Sequence, residues 1–95
     1  MSKDEVKFNK ALGLNIRTER RKQRITQEDL AGMLGLSRVQ IVNIEQGRST
    51  TSLFNIVKIS ELFGVTIKRI LPSKAQSLDP TLEELYEQVY PTTTP

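Results

Sequence analysis

The sequence predicts an all-α fold in which five helices pack around one core and a short further helix follows them. Three observations carry this expectation. Apolar residues recur at i, i+3 and i+4 between Phe8 and Leu71, and no strand-like alternation competes with that period. Ser, Thr, Gly and Pro stand where such helices would begin and end. Finally, Gln27 to Gly47 reads as two short helices joined by a three-residue turn.

Taken in order, residues 1–8 are polar and read as a flexible arm, and a long helix is expected from Phe8 or Asn9 to Gln23. Phe8, Leu12 and Ile16 form its inner stripe, and basic residues gather at its C-terminal end, where the helix dipole favours them. Thr26 is a good N-cap for a second helix from Gln27, with Asp29 placed nearly as in a capping box. Leu30, Leu34 and Leu36 face inward, Ala31 is small enough for two helices to cross, and Gly35 suits the turn. Ser37 caps a third helix running through Gln46, with Ile41 and Ile44 inside and Gly47 as its stop. Ser52 caps a fourth helix from Leu53 to Phe63, whose inner face is expected to hold Leu53, Ile56, Ile59, Ser60 and Phe63. Thr66 caps a short fifth helix through Leu71, closed by Pro72. Beyond a polar linker, Asp79-Pro80 opens a helix through about Tyr90, cap followed by proline at the first position. The organisation expected is therefore an arm over 1–8, a domain over 9–72, and a linker, amphipathic helix and frayed tail over 73–95.

Composition narrows the function classes. Ninety-five residues supply one modest core, made mostly of Leu, Ile and Val because only three Phe and two Tyr are present. There is no Cys and no His, which excludes thiolate nucleophiles, His-based proton transfer and most zinc sites. The acids are scattered, no phosphate-cradling Gly-rich loop is present, and no cofactor is expected; the chain does not read as an enzyme. No apolar run reaches membrane-spanning length and MSKDEVKF lacks the core of a signal peptide, so the expected setting is cytoplasmic, without a membrane partner.

The charge distribution is uneven. All 14 Lys and Arg fall within residues 1–74 against seven acids, whereas residues 75–95 carry four acids and no base. Arg17, Arg20, Arg21, Lys22 and Arg24 form the densest basic block, and no acid interrupts Gln46 to Ser60. A charge run by itself is a solvated face; beside a helix-turn-helix it becomes a surface for a polyanion.

Over residues 9–72 the chain resembles the XRE family, the helix-turn-helix DNA-binding domains of lambdoid phage repressors and Cro. The resemblance rests on LGLNIRTERRKQRITQEDLAGMLGLSRVQIVNIEQG followed by SLFNIVKISELFGVTIKRIL. It implies a compact five-helix repressor-like fold and a transcriptional regulator that reads double-stranded DNA. Carried over by position, Gln27 grips a phosphate and braces the recognition helix, while Ser37, Arg38, Val39, Gln40 and, one turn on, Asn43 read bases. Arg20 and Glu45 match the family's ion pair between the first and third helices. Glu19 departs from the family's usual Leu, so this end of helix 1 is expected to be less buried.

The chemistry of these side chains agrees with the roles. Arg38 offers two parallel N–H groups to guanine O6 and N7, and Gln40 and Asn43 suit adenine N6 and N7. Val39 offers methyls to a thymine methyl, and Val42 is a second valine that the inward stripe does not require. Ser37, Gln27, Gln46, Arg48, Ser49, Thr50 and Arg20 suit phosphate oxygens. For Arg38, Gln40 and Asn43 plain solvent exposure is the alternative, for the valines loose packing, and for Arg20 and Glu45 the structural role dominates.

One recognition helix reads few base pairs, so a homodimer on a pseudo-palindromic operator is expected. Val57, Leu62, Ile67, Ile70 and Leu71, together with Leu82, Leu85, Tyr86 and Val89 of the tail helix, are the apolar residues assigned to its interface. Two related settings remain open at this point. The acidic segment 79–90 could hold a separate protein partner, as in an antitoxin that represses its own operon, and a restriction–modification controller would look much the same.

Overall fold

The computed structural model describes residues 2–73, which form α1 (Lys3–Lys22), α2 (Gln27–Leu34), α3 (Arg38–Glu45), α4 (Leu53–Phe63) and α5 (Ile67–Ile70). The expected helix over 79–90 and its apolar residues Leu82, Leu85, Tyr86 and Val89 lie outside the described residues.

The first helix starts earlier than the sequence reading placed it, so the arm over 1–8 is corrected. Ser2 Oγ accepts from the Glu5 N–H at 3.1 Å and the Glu5 carboxylate accepts from the Ser2 N–H at 3.4 Å. This reciprocal pair, with Asp4 and Glu5 against the positive end of the dipole, supports about one and a half extra turns. Those turns reach past the body of the domain, and burial begins only at Asn9. Phe8, placed on the inner stripe from its spacing, is therefore 38% exposed.

Beyond that point the periodicity translates into packing. Leu12, Ile16, Leu30, Ala31, Ile41, Ile44, Ile56, Ile59, Phe63 and Ile70 form one core to which every described helix contributes. Thr26, Ser37 and Ser52 each accept the backbone N–H three residues on, as their positions predicted. Thr66 makes no such side-chain bond, and α5 is only four residues long. Its placement comes from tertiary contacts instead: the Asn15 side-chain amide donates to the carbonyls of Ile70 at 3.0 Å and Leu71 at 3.3 Å.

The inward assignment of Leu53 and the interface assignment of Ile70 change. Leu53 is 69% exposed, and Phe54 beside it 73%, because α4 meets its neighbours only from Ile56 onward. Ile70, assigned to a dimer interface, is fully buried inside the monomer core. Leu62, Ile67 and Leu71 are half-buried against that same core, and Val57 is half-buried as well.

Glu19 is also buried, contrary to the expectation drawn from its departure from Leu. Its carboxylate accepts from Arg69 Nε at 3.0 Å and from Lys22 Nζ at 3.5 Å, so α1 holds α5 by charge as well as by the Asn15 amide. The Arg69 hydrogen bond lowers the Glu19 pKa from its ordinary 4.5; burial pushes the other way and loses, while the charges of Lys22 and Arg69 add to the lowering. A lowered folded-state value means that this contribution is present above pH 4.5 and disappears as the pH falls through the folded value. Glu19→Gln should therefore flatten the acid limb of a stability-versus-pH curve, measured by urea unfolding, while leaving its alkaline limb unchanged. Arg69 is mostly exposed, so the effect is modest.

Candidate nucleic-acid interface

The orientation of α3 is set by contacts behind it. Gly13 of α1 lies where a Cβ would come within 2.3 Å of the Ile44 carbonyl oxygen and 2.5 Å of that of Glu45. Backbone thus rests on backbone at this crossing, which only glycine permits. At the C-terminal end of α3, Gly47 adopts φ +74°, and a Cβ there would sit 2.7 Å from the Lys10 Cα. Neither Gly13 nor the packing role of Gly47 was singled out in the sequence; a glycine inside the long α1 pattern was the available signal.

A buried ion pair locks the same helices together. Arg20 Nε and Nη2 donate to the two Glu45 carboxylate oxygens at 2.7 and 3.1 Å, and Nη1 donates to the Ile25 carbonyl at 2.8 Å. The Gln27 amide nitrogen donates to Glu45 Oε1 at 3.1 Å, which brings α2 into the network. Three of the five guanidinium N–H groups are thereby used and the Arg20 side chain is 9% exposed. Arg20 thus has the structural role the sequence favoured, its charge paired with Glu45, and the residue also borders a hollow beside Gln27.

In front of these contacts stand the exposed residues. Ser37 Oγ accepts the Gln40 N–H at 3.1 Å, and Gln40 Oε1 accepts the Ser37 N–H at 2.8 Å, a complete capping box at the start of α3. The amide oxygen that Gln40 would need for bidentate adenine contact is thus engaged in holding the helix start. That oxygen keeps a second lone pair, but the Ser37 bond fixes the orientation from which Gln40 would meet a base.

Arg38 joins two hollows. One, of about 410 Å³, is lined by Arg20, Thr26, Gln27, Glu28 and Arg38. The other, of about 290 Å³, is lined by Arg38, Val39, Val42, Asn43 and Arg48. The structure therefore brings Arg38, Val39, Asn43 and Arg48 around one concavity and Gln27 beside Arg38. Ser37, Gln40, Gln46 and Thr50 are exposed outside both hollows, and Ser49 is half-buried. Val42, a secondary choice from sequence, and Thr26 and Glu28, not chosen as site residues, line these surfaces; for Val42 the signal was its i+3 and i+4 spacing from Val39 and Arg38, and for Thr26 and Glu28 their adjacency to Gln27. Among the described residues no cluster of acids could hold a metal ion, and no described helix is long and apolar enough to cross a membrane.

Comparison with known proteins agrees with this geometry. Residues 16–70 match the helix-turn-helix family. An uncharacterized HTH-type transcriptional regulator of Methanocaldococcus jannaschii is 40% identical over 68 residues, spanning 72% of this chain and 88% of that protein. The restriction-modification controller protein C.AhdI from Aeromonas hydrophila superposes with TM-score 0.65 at 26% identity, covering 74% of this chain and all of its own. The clp gene regulator ClgR from Corynebacterium glutamicum shares the fold with TM-score 0.69 at 22% identity, covering 90% of this chain and 96% of its own. Motif, fold and relatives converge: the chain belongs to the XRE-type helix-turn-helix family.

Proposed function

We propose that this protein is a sequence-specific, double-stranded-DNA-binding transcriptional regulator that acts in the cytoplasm as a homodimeric repressor of a pseudo-palindromic operator. The observation that carries the proposal is the convergence of Arg38, Val39, Asn43 and Arg48 on one exposed hollow of α3, a helix that α1 meets backbone to backbone at Gly13. Arg38 and Asn43 read base edges, with Val39 against a base methyl. Ser37, Gln27, Gln46, Arg48, Ser49 and Thr50 hold the sugar–phosphate backbone on either side. Gln40 serves first as the partner of Ser37. Two copies place two α3 helices about 34 Å apart, one DNA turn.

Selection from a randomised duplex pool tests this reading. It should yield a two-fold-related motif, with sedimentation giving two chains per duplex. If about six to eight phosphates are neutralised per dimer, log K should fall against log salt with a slope near −5 to −7. A flat slope, or equal affinity for a shuffled duplex, would reject the proposal.

Arg38 and Arg48 should separate in the same assay. Arg38→Ala is expected to cost about 1–3 kcal/mol and to relax preference at one position in each half-site. Arg48→Ala should weaken all sequences about equally and reduce the salt slope. Identical, uniform losses in both variants would remove the distinction between reader and positioner. The likeness to C.AhdI favours a restriction–modification controller as the second reading of the biological setting.

A further inference from the structure

We propose that the hollow on α3 seats the 5-methyl group of a pyrimidine standing immediately 5′ of a guanine, so that the protein reads pyrimidine methylation along with base sequence. The inference rests on the DNA-binding function proposed above and names the ligand chemistry of one part of that surface.

It begins with an apolar residue in the wrong place for a soluble helix. Val39 is 68% exposed, while Ile41 and Ile44 already fill the inner side of α3. Val42, one turn on, is half-buried and lies in the same hollow as Val39. Together the two valines give a recognition surface an apolar lining that helix propensity does not ask for, since β-branched residues are mediocre helix formers.

The surroundings define the occupant. Arg38, Asn43 and Arg48 complete the lining, giving two cations and no acid, which matches a duplex with its phosphates and not an apolar peptide. Of the groups displayed in the major groove, the pyrimidine C5-methyl is the apolar one. Arg38 adjoins Val39 in sequence, and its fork suits guanine O6 and N7. The C5 substituent of a pyrimidine on the 5′ side of that guanine projects into the same part of the groove. There it is flanked by the guanidinium on one side and the valine methyls on the other. Thymine and 5-methylcytosine present the same methyl, so the shared ligand is a 5-methylpyrimidine–guanine step. At about 290 Å³ the hollow is larger than a methyl group and admits the edge of the base that bears it.

The test uses the full chain and a duplex recovered from the randomised pool. At the pyrimidine before the Arg38-dependent guanine, thymine is compared with deoxyuridine, and 5-methylcytosine with cytosine. Binding should be about fourfold tighter for the methylated member of a pair, the effect of burying one methyl-sized group. Val39→Ala should bring that ratio close to one; Val39 is exposed, so the variant retains the thermal midpoint of the parent. A gain in the thymine pair alone assigns the seat to thymine, a gain in the cytosine pair alone to methylated DNA, and a gain in both to the methyl itself. Equal binding within both pairs, with sequence preference intact, overturns the methyl seat and leaves the regulator standing. A methyl preference that survives Val39→Ala overturns the residue assignment. Failure to recover any preferred sequence rejects the DNA-reading function and this inference with it.

Discussion

Gly13→Ala should destabilise the domain by about 2–4 kcal/mol, even though alanine in place of glycine normally favours a helix by about 1 kcal/mol. The sign follows from what a Cβ meets. At Gly13 it meets backbone oxygens of Ile44 and Glu45 at 2.3 and 2.5 Å, atoms that no side-chain rotation can move. The two helices must separate, and overpacking that displaces backbone costs about 1–3 kcal/mol or more. Gly32 provides the opposite case within the same domain. It lies inside α2 with nothing within 4 Å of a built Cβ, so Gly32→Ala should stabilise by about 0.5–1 kcal/mol. Thermal unfolding followed by circular dichroism reads both changes. Each kcal/mol shifts the midpoint of so small a domain by roughly 4–8 °C, so the two variants should lie well apart on opposite sides of the parent. A Gly13→Ala midpoint at or above that of the parent would mean that α1 and α3 do not touch through their backbones.

The second large effect belongs to Glu45. Its side chain is 1% exposed and accepts two bonds from Arg20 and one from Gln27. Glu45→Ala leaves the Arg20 guanidinium nearly buried without its counter-charge, a situation that costs about 3–5 kcal/mol. Replacing both members, Arg20→Met with Glu45→Leu, removes the buried charges together and should cost clearly less than the single change, because an apolar pair of similar volume is often neutral. Urea unfolding of the two single variants and the double completes the comparison. A double variant as unstable as the sum of the singles would show that the charges are not coupled. DNA affinity provides a further readout. Gln27 loses its anchor in either Glu45 variant, so operator binding should fall even in the double variant, whose fold is retained.

The core stripe and the caps were legible because both are local. Leu12, Ile16, Leu30, Ile41, Ile44, Ile56, Ile59 and Phe63 are buried where their spacing put them. Ser37 and Ser52 begin α3 and α4 because a hydroxyl beside unsatisfied N–H groups needs only its own next three residues. The same kind of signal was overlooked at Ser2 and Glu5, where a polar beginning was read as an arm although the reciprocal pair was present in the sequence. Phe8 and Leu53 have correct helical spacing but fall in end turns that no neighbouring helix covers. Periodicity states which side of a helix is apolar, not how far along its length a partner extends.

The site divides in the same way. Its residue types, Arg38, Val39, Asn43 and Gln27 at their positions in a helix-turn-helix, were readable from the chain, as was the pairing of Arg20 with Glu45. Their division of labour was not. That Gln40 is held by Ser37 and that Arg38 adjoins both hollows depends on distances between side chains. The sequence by itself determined the helices, their caps, the inward stripes and the chemistry available on α3, since these follow from interactions within a few residues. Only the tertiary structure decided that Gly13 is a backbone contact, that Ile70 closes the core, that Glu19 binds Arg69 across fifty residues, and which polar groups of α2 and α3 are bonded within the domain. Those outcomes depend on the angle and depth at which helices pack, and that geometry arises from all the contacts acting together.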